Sequence, residues 1–70
     1  MTLEELRILY GYSISRVARE LKVTRMTIYL WESGKTMPNA SHLRRLSKLY
    51  GISMDELLEV LEHTRQKEGK

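Results

Sequence analysis

The chain has 70 residues and a net charge of +3, enough for one domain near the lower size limit of an independently stable core. It contains no Cys, which excludes disulfide and thiolate-metal staples and leaves packing and oligomerisation to hold the fold. No stretch approaches the ~18 apolar residues of a membrane span, and the acidic start Met1-Thr2-Leu3-Glu4-Glu5 is unlike a basic leader; the expectation is a soluble, untargeted, cytoplasmic protein with no second, ligand-sensing domain.

Gly11, Gly34 and Gly51 divide the chain into short blocks of helical rather than alternating periodicity. Each block opens with a side chain able to accept from free backbone N–H groups: Thr2, Ser13, Thr24, Asn39 and Ser53. These spacings predict five helices. Thr2 with Glu5 and Ser53 with Glu56 have the separation of a capping box. An apolar residue before each cap pairs with one in the second turn: Met1 with Leu6, Tyr12 with Val17, Val23 with Ile28, Pro38 with Leu43, and Ile52 with Leu57. The expected inward stripes are Leu3, Leu6 and Leu9 on the first helix, Val17, Ala18 and Leu21 on the second, and Ile28 and Trp31 on the third. The fourth adds Leu43, Leu46, Leu49 and Tyr50. The fifth, from Met54 to about Glu62, carries Leu57, Leu58, Val60 and Leu61, which cover more of its circumference than one core contact requires. Leu58, Val60 and Leu61 are therefore the expected dimer interface. The domain is expected to span residues 1–62, with 63–70 as a polar, frayed tail.

Charge is uneven along this frame. Residues 22–48 hold Lys22, Arg25, Lys35, Arg44, Arg45 and Lys48 against Glu32 alone, a net +5 between a neutral first block and a last block of −2. Such a concentrated basic stretch suits a polyanion, because neutralising phosphates releases counterions; a solvated surface is the alternative. The second and third helices are separated only by Lys22-Val23-Thr24, a connection that demands a small residue at their crossing, and Ala18 supplies it. One side of the third helix is left outside the core, free to enter a major groove.

The ordered set Leu6-Arg7, Ser13 with Val17-Ala18, Val23-Thr24-Arg25-Met26-Thr27-Ile28, Trp31-Glu32-Ser33-Gly34-Lys35 with Pro38, and Tyr50-Gly51-Ile52-Ser53 with Glu56-Leu57-Leu58 resembles the phage repressor and Cro-type helix-turn-helix family, also called the xenobiotic response element family, from Leu3 to about Leu58. The resemblance implies an all-α, five-helix, lambda-repressor-like DNA-binding domain with the helix-turn-helix at helices 2 and 3. It implies a bacterial or phage-encoded transcriptional regulator, a repressor by expectation, acting as a homodimer on a palindromic double-stranded DNA operator. It also implies a structural ion pair between Arg7 and Glu32, bidentate and partly buried. Resemblance and helical geometry together make Arg25, Met26, Tyr29 and Leu30 the base-reading positions, with Arg25 facing guanine and the apolar three facing thymine methyl groups. Backbone contacts are expected from Ser13, Thr24, Thr27, Lys35 and Asn39.

Two positions depart from the family pattern. Ile14 stands where Gln is usual at the start of the second helix, and cannot hydrogen-bond a phosphate or brace a base-reading side chain. Lys22 stands where the turn usually has Gly, and is expected in a left-handed conformation at a cost of ~1 kcal/mol.

Other readings remain beside this one. Met26 or Leu30 turned inward would be core, and a greasy third helix with a rich fifth helix suits an interaction module of antitoxin or anti-repressor type, holding a protein partner. The residues equally fit the DNA-binding piece of a longer protein. Catalysis finds little support: His42 and His63 are distant, no thiol exists, and no further ligands accompany a two-His metal site. No enzyme activity, cofactor, metal or membrane partner is expected.

Overall fold

Four of the five cap residues begin the first four helices and Ser53 precedes the fifth: α1 (Leu3–Leu9), α2 (Ile14–Leu21), α3 (Arg25–Ser33), α4 (Ala40–Tyr50) and α5 (Met54–Glu68). The computed structural model describes residues 1–68, and among these there is no strand. Thr2, Ser13, Thr24, Asn39 and Ser53 each accept a hydrogen bond from the N–H three residues on, at 2.9 to 3.2 Å. In both capping boxes the glutamate reaches back, Glu5 to the Thr2 N–H at 2.8 Å and Glu56 to the Ser53 N–H at 2.9 Å. Orphan donors at the helix starts are thereby satisfied, each cap contributing about 1 kcal/mol. Lys22, with φ 58° and ψ 43°, closes α2 in the left-handed region. That conformation lets the chain turn within three residues and bring α3 against α2 at Ala18, which is 4 % exposed.

The core draws Leu3 and Leu6 from α1, Val17, Ala18 and Leu21 from α2, Ile28 and Trp31 from α3, Leu46 and Tyr50 from α4, and Leu57 and Leu61 from α5. Leu43 and Leu49 lie half-buried at its edge. The expected inward Leu9 is instead 67 % exposed. Successive steps of three residues each advance ~300°, so the run Leu3, Leu6, Leu9 drifts ~120° around the helix, and position 10 returns toward the core. Tyr10, the C-cap of α1, remains exposed but leans over the edge of the core: its ring lies 5.3 Å from Tyr50 and 5.9 Å from Tyr12, and its hydroxyl donates to the Tyr50 carbonyl. Tyr12 stacks on Tyr50 at 6.0 Å and carries Arg16 over its outer face. The three rings clamp the α1–α2 connection onto the C-terminal end of α4.

The fifth helix does not end near Glu62. It continues through the expected tail to Glu68, while residues 69 and 70 of that tail lie outside the described residues. Thr64, 2 % exposed, holds the extension down: its hydroxyl accepts from the Leu3 N–H at 2.9 Å and donates to the Val60 carbonyl at 2.8 Å. A free donor of the first turn of α1 is thus paired inside the fold. The polar sequence after Glu62 concealed one inward residue that is tolerated because it is fully hydrogen-bonded.

Candidate nucleic-acid interface

α3 is gripped along one side and bare on the other. Ile28 and Trp31 anchor it at 1 % and 4 % exposure, while Met26 and Tyr29 on the opposite arc are 62 % and 57 % exposed. Arg25, in the first turn, is also exposed, and its Nη1 makes a long contact of 3.5 Å with the hydroxyl of Ser15 on α2. Leu30 is half-buried at the margin of this face. Its carbonyl accepts from the Ser33 hydroxyl at 3.0 Å and from the Lys35 N–H at 3.1 Å, closing the end of α3 at Gly34, whose φ of 83° needs no Cβ.

The positions expected to touch phosphate are exposed or half-buried. Ser13, Thr24 and Asn39 are exposed caps that use a side-chain oxygen as acceptor, and Ser13 and Asn39 keep donors for a further partner. Thr27 is half-buried, its hydroxyl 3.0 Å from that of Thr24. Lys35 is exposed just beyond α3. Ile14 is half-buried against the core and shares a shallow recess with Glu4, Tyr29 and Glu32. The residue of α2 that reaches Arg25 is therefore its neighbour Ser15, which the sequence reading passed over. The signal was present: Ser15 lies in the first turn of the helix packed directly against the first turn of α3.

Beneath the far end of α3 the structure brings Arg7 and Glu32 together. Arg7 Nε donates to Glu32 Oε2 at 2.7 Å and Nη2 to Oε1 at 3.3 Å, with side chains 12 % and 8 % exposed. Nη1 of Arg7 also donates to the Tyr12 carbonyl at 3.0 Å, so one guanidinium ties α1, the α1–α2 connection and α3. The hydrogen bond to Glu32 raises the Arg7 pKa above its ordinary value, with burial opposing. A carboxylate near a helix C-terminus is unfavourable by itself, and it is the one acid in the basic block. The pairing removes both liabilities and leaves the positive field of the block undiminished.

The expected dimer residues divide. Leu61 is 1 % exposed and belongs to the chain's own core, Val60 is half-buried, and only Leu58 is open, at 45 %. At ~100° per residue Leu58 and Val60 fall on opposite flanks of the buried ridge Leu57, Leu61 and Thr64, so they do not form one face.

A helix-turn-helix family model matches residues 3–57. The HTH-type transcriptional activator BcrR of Enterococcus faecalis is 39 % identical over 56 residues, covering 80 % of this chain and 28 % of that protein. The SPbeta prophage-derived uncharacterized HTH-type transcriptional regulator YonR of Bacillus subtilis (strain 168) is 39 % identical over 57 residues, covering 81 % of this chain and 53 % of that protein. The chain thus spans about a quarter and about half of the two relatives. No solved structure is matched. With the family model extending from α1 into α5 over the helix-turn-helix described above, the chain belongs to the phage repressor and Cro-type helix-turn-helix family of transcriptional regulators and has its lambda-repressor-like fold.

Proposed function

We propose that the chain is a sequence-specific double-stranded DNA-binding domain that inserts α3 into the major groove and acts as a dimer on a palindromic operator. The observation that carries this is the bare arc of α3, with Arg25, Met26 and Tyr29 exposed, in a chain whose helix caps Ser13 and Asn39 keep side-chain donors. Arg25 reads guanine through its paired N–H donors, and Met26, Tyr29 and the margin of Leu30 pack on thymine methyl groups. Ser13, Thr24, Thr27, Lys35 and Asn39 hold the backbone. A single domain of this kind buries only ~600 to 1,000 Å² on DNA, so two copies on half-sites ~34 Å apart supply the affinity.

Site selection from a random duplex library at physiological salt tests this, with wild type and Arg25→Ala in parallel. The expected result is a palindrome with guanine at a fixed half-site position, a preference that Arg25→Ala relaxes; recovery of no enriched sequence overturns it. Repression by occupying a promoter is the expected sign. The Enterococcus relative carries the name of an activator, so a reporter with the selected operator over its promoter decides: falling output supports repression and rising output reverses the sign.

The same exposed Met26 and Tyr29 favour one second reading, a module of antitoxin or anti-repressor type that grips a protein. Salt separates the two, since binding through several phosphates falls steeply as salt rises and an apolar protein contact does not.

A further inference from the structure

The outer arcs of α4 and α5 carry opposite charge along an apolar seam. On α4, Leu46 and Tyr50 face the core, and at ~100° per residue Arg44 and Lys48 point most directly away from it, with Arg45 beside them. On α5 the arc opposite Leu57, Leu61 and Thr64 is occupied by Asp55, Glu59 and Glu62, all exposed. Among the described residues, none of these cations and acids is paired within the chain. Between the two arcs runs the α4–α5 seam, where Met54 is 38 % and Leu58 45 % exposed. Met54 closes an open groove with Ser41, Arg44, Arg45, Ser47 and Lys48, and Leu58 follows it one turn along the same flank of α5.

We propose that this face is the dimer interface, and that its occupant is a second copy of the chain turned by a two-fold axis through the seam. The axis sets α4 of one copy against α5 of the other, twice. Met54 and Leu58 of both copies meet at the centre, and Arg44 and Lys48 of each copy meet Glu59 and Glu62 of its partner at the rim. An apolar centre ringed by complementary charge has the anatomy of a specific interface. The more direct symmetric alternative, α5 against α5, places two rows of carboxylates opposite each other and is opposed by like-charge repulsion. This inference rests on the reading of the chain as a dimer and specifies which surface pairs.

The arrangement has a test that a merely structural role for these residues does not pass. Reversing one arc, as Arg44→Glu with Lys48→Glu, sets acid against acid in both contacts of a homodimer; reversing the other, as Glu59→Lys with Glu62→Lys, sets base against base. A mixture of the two variants restores attraction at both contacts. Sedimentation equilibrium of the full chain without DNA is the measurement, with circular dichroism melts of each variant to establish that it is folded. The expected result is self-association weakened about tenfold or more for each variant alone, recovery to wild-type strength on mixing, and loss of the wild-type dimer as salt rises. Variants that pair as well as wild type overturn the interface and leave dimerisation standing on another surface. If the α4 variant fails only in binding DNA while its dimer is intact, the arc is a phosphate contact and the inference is overturned. A wild-type chain that is monomeric both free and on DNA overturns the dimer reading itself.

Discussion

At the junction of α1 and α3, Arg7 and Glu32 are largely shielded from solvent and meet at 2.7 Å, whereas on the outer arcs of α4 and α5 Arg44, Lys48, Glu59 and Glu62 stand exposed with no partner among the described residues. The chemistry is the same and the consequence differs because water differs. In the first region desolvation forces the charges to pair, and losing either partner strands the other. In the second, water solvates each charge at little cost, so the residues contribute almost nothing to the monomer and remain available to a partner. Burial thus separates charge that holds α3 in place from charge left open to solvent.

The sharpest way to break this contrast is at Glu32. Replacing it as Glu32→Gln keeps the shape and an acceptor but leaves the Arg7 cation unneutralised, with an expected loss of about 2 kcal/mol and a Tm lower by about 10 °C. An unchanged Tm would mean that the pair is decoration. Next is Thr64→Val, which conserves volume and deprives the Leu3 N–H of its acceptor inside the fold; the expectation is a loss of about 1 to 2 kcal/mol with faster exchange of the Leu3 amide.

A smaller and pH-dependent effect belongs to Tyr50. Burial, and secondly the Glu32 charge, raise its pKa well above the ordinary 10.0. The unfolded phenol ionises near that ordinary value while the folded one keeps its proton. Stability is therefore fully present below about pH 10 and is lost as pH climbs toward the folded value. Urea unfolding midpoints from about pH 8 to about pH 11 should fall at the alkaline end, and Tyr50→Phe should flatten that fall. The smallest change is expected at Glu20, whose contact with Arg16 is 3.7 Å long with both side chains about half-exposed. Glu20→Ala should alter stability by less than ~0.5 kcal/mol; a larger loss would place the dividing line between the two kinds of charge elsewhere.

Local chemistry was readable directly from the residues. All five caps and both capping boxes depend on a few consecutive positions, and the structure has each of them; the left-handed Lys22 is there too, but was expected from the glycine usual at that place in the family. The Arg7–Glu32 contact, 25 residues apart, was reachable only through family resemblance, because no local rule connects a first helix to the end of a third. Leu9 was misplaced because composition favours leucine for the core, while helical phase carries position 9 away from the stripe of Leu3 and Leu6. Thr64 was hidden for a related reason: a polar residue is read as exposed unless its two hydrogen-bond partners, one of them on α1, are already known. At the candidate site the sequence identified the exposed arc of α3 but not Ser15, whose meaning comes from how α2 crosses α3. The division of Leu58 from Val60 likewise needed the buried ridge of α5 to be fixed first.

In the proposed complex the bare arc of α3, rather than the basic arc of α4, meets DNA. Amide chemical-shift mapping of the chain titrated with its selected duplex tests it most directly. The largest shifts are expected at Ser13, Ser15, Arg25, Met26 and Tyr29, with smaller ones at Lys35 and Asn39. Shifts confined to Arg44, Arg45 and Lys48, with α3 undisturbed, would contradict it.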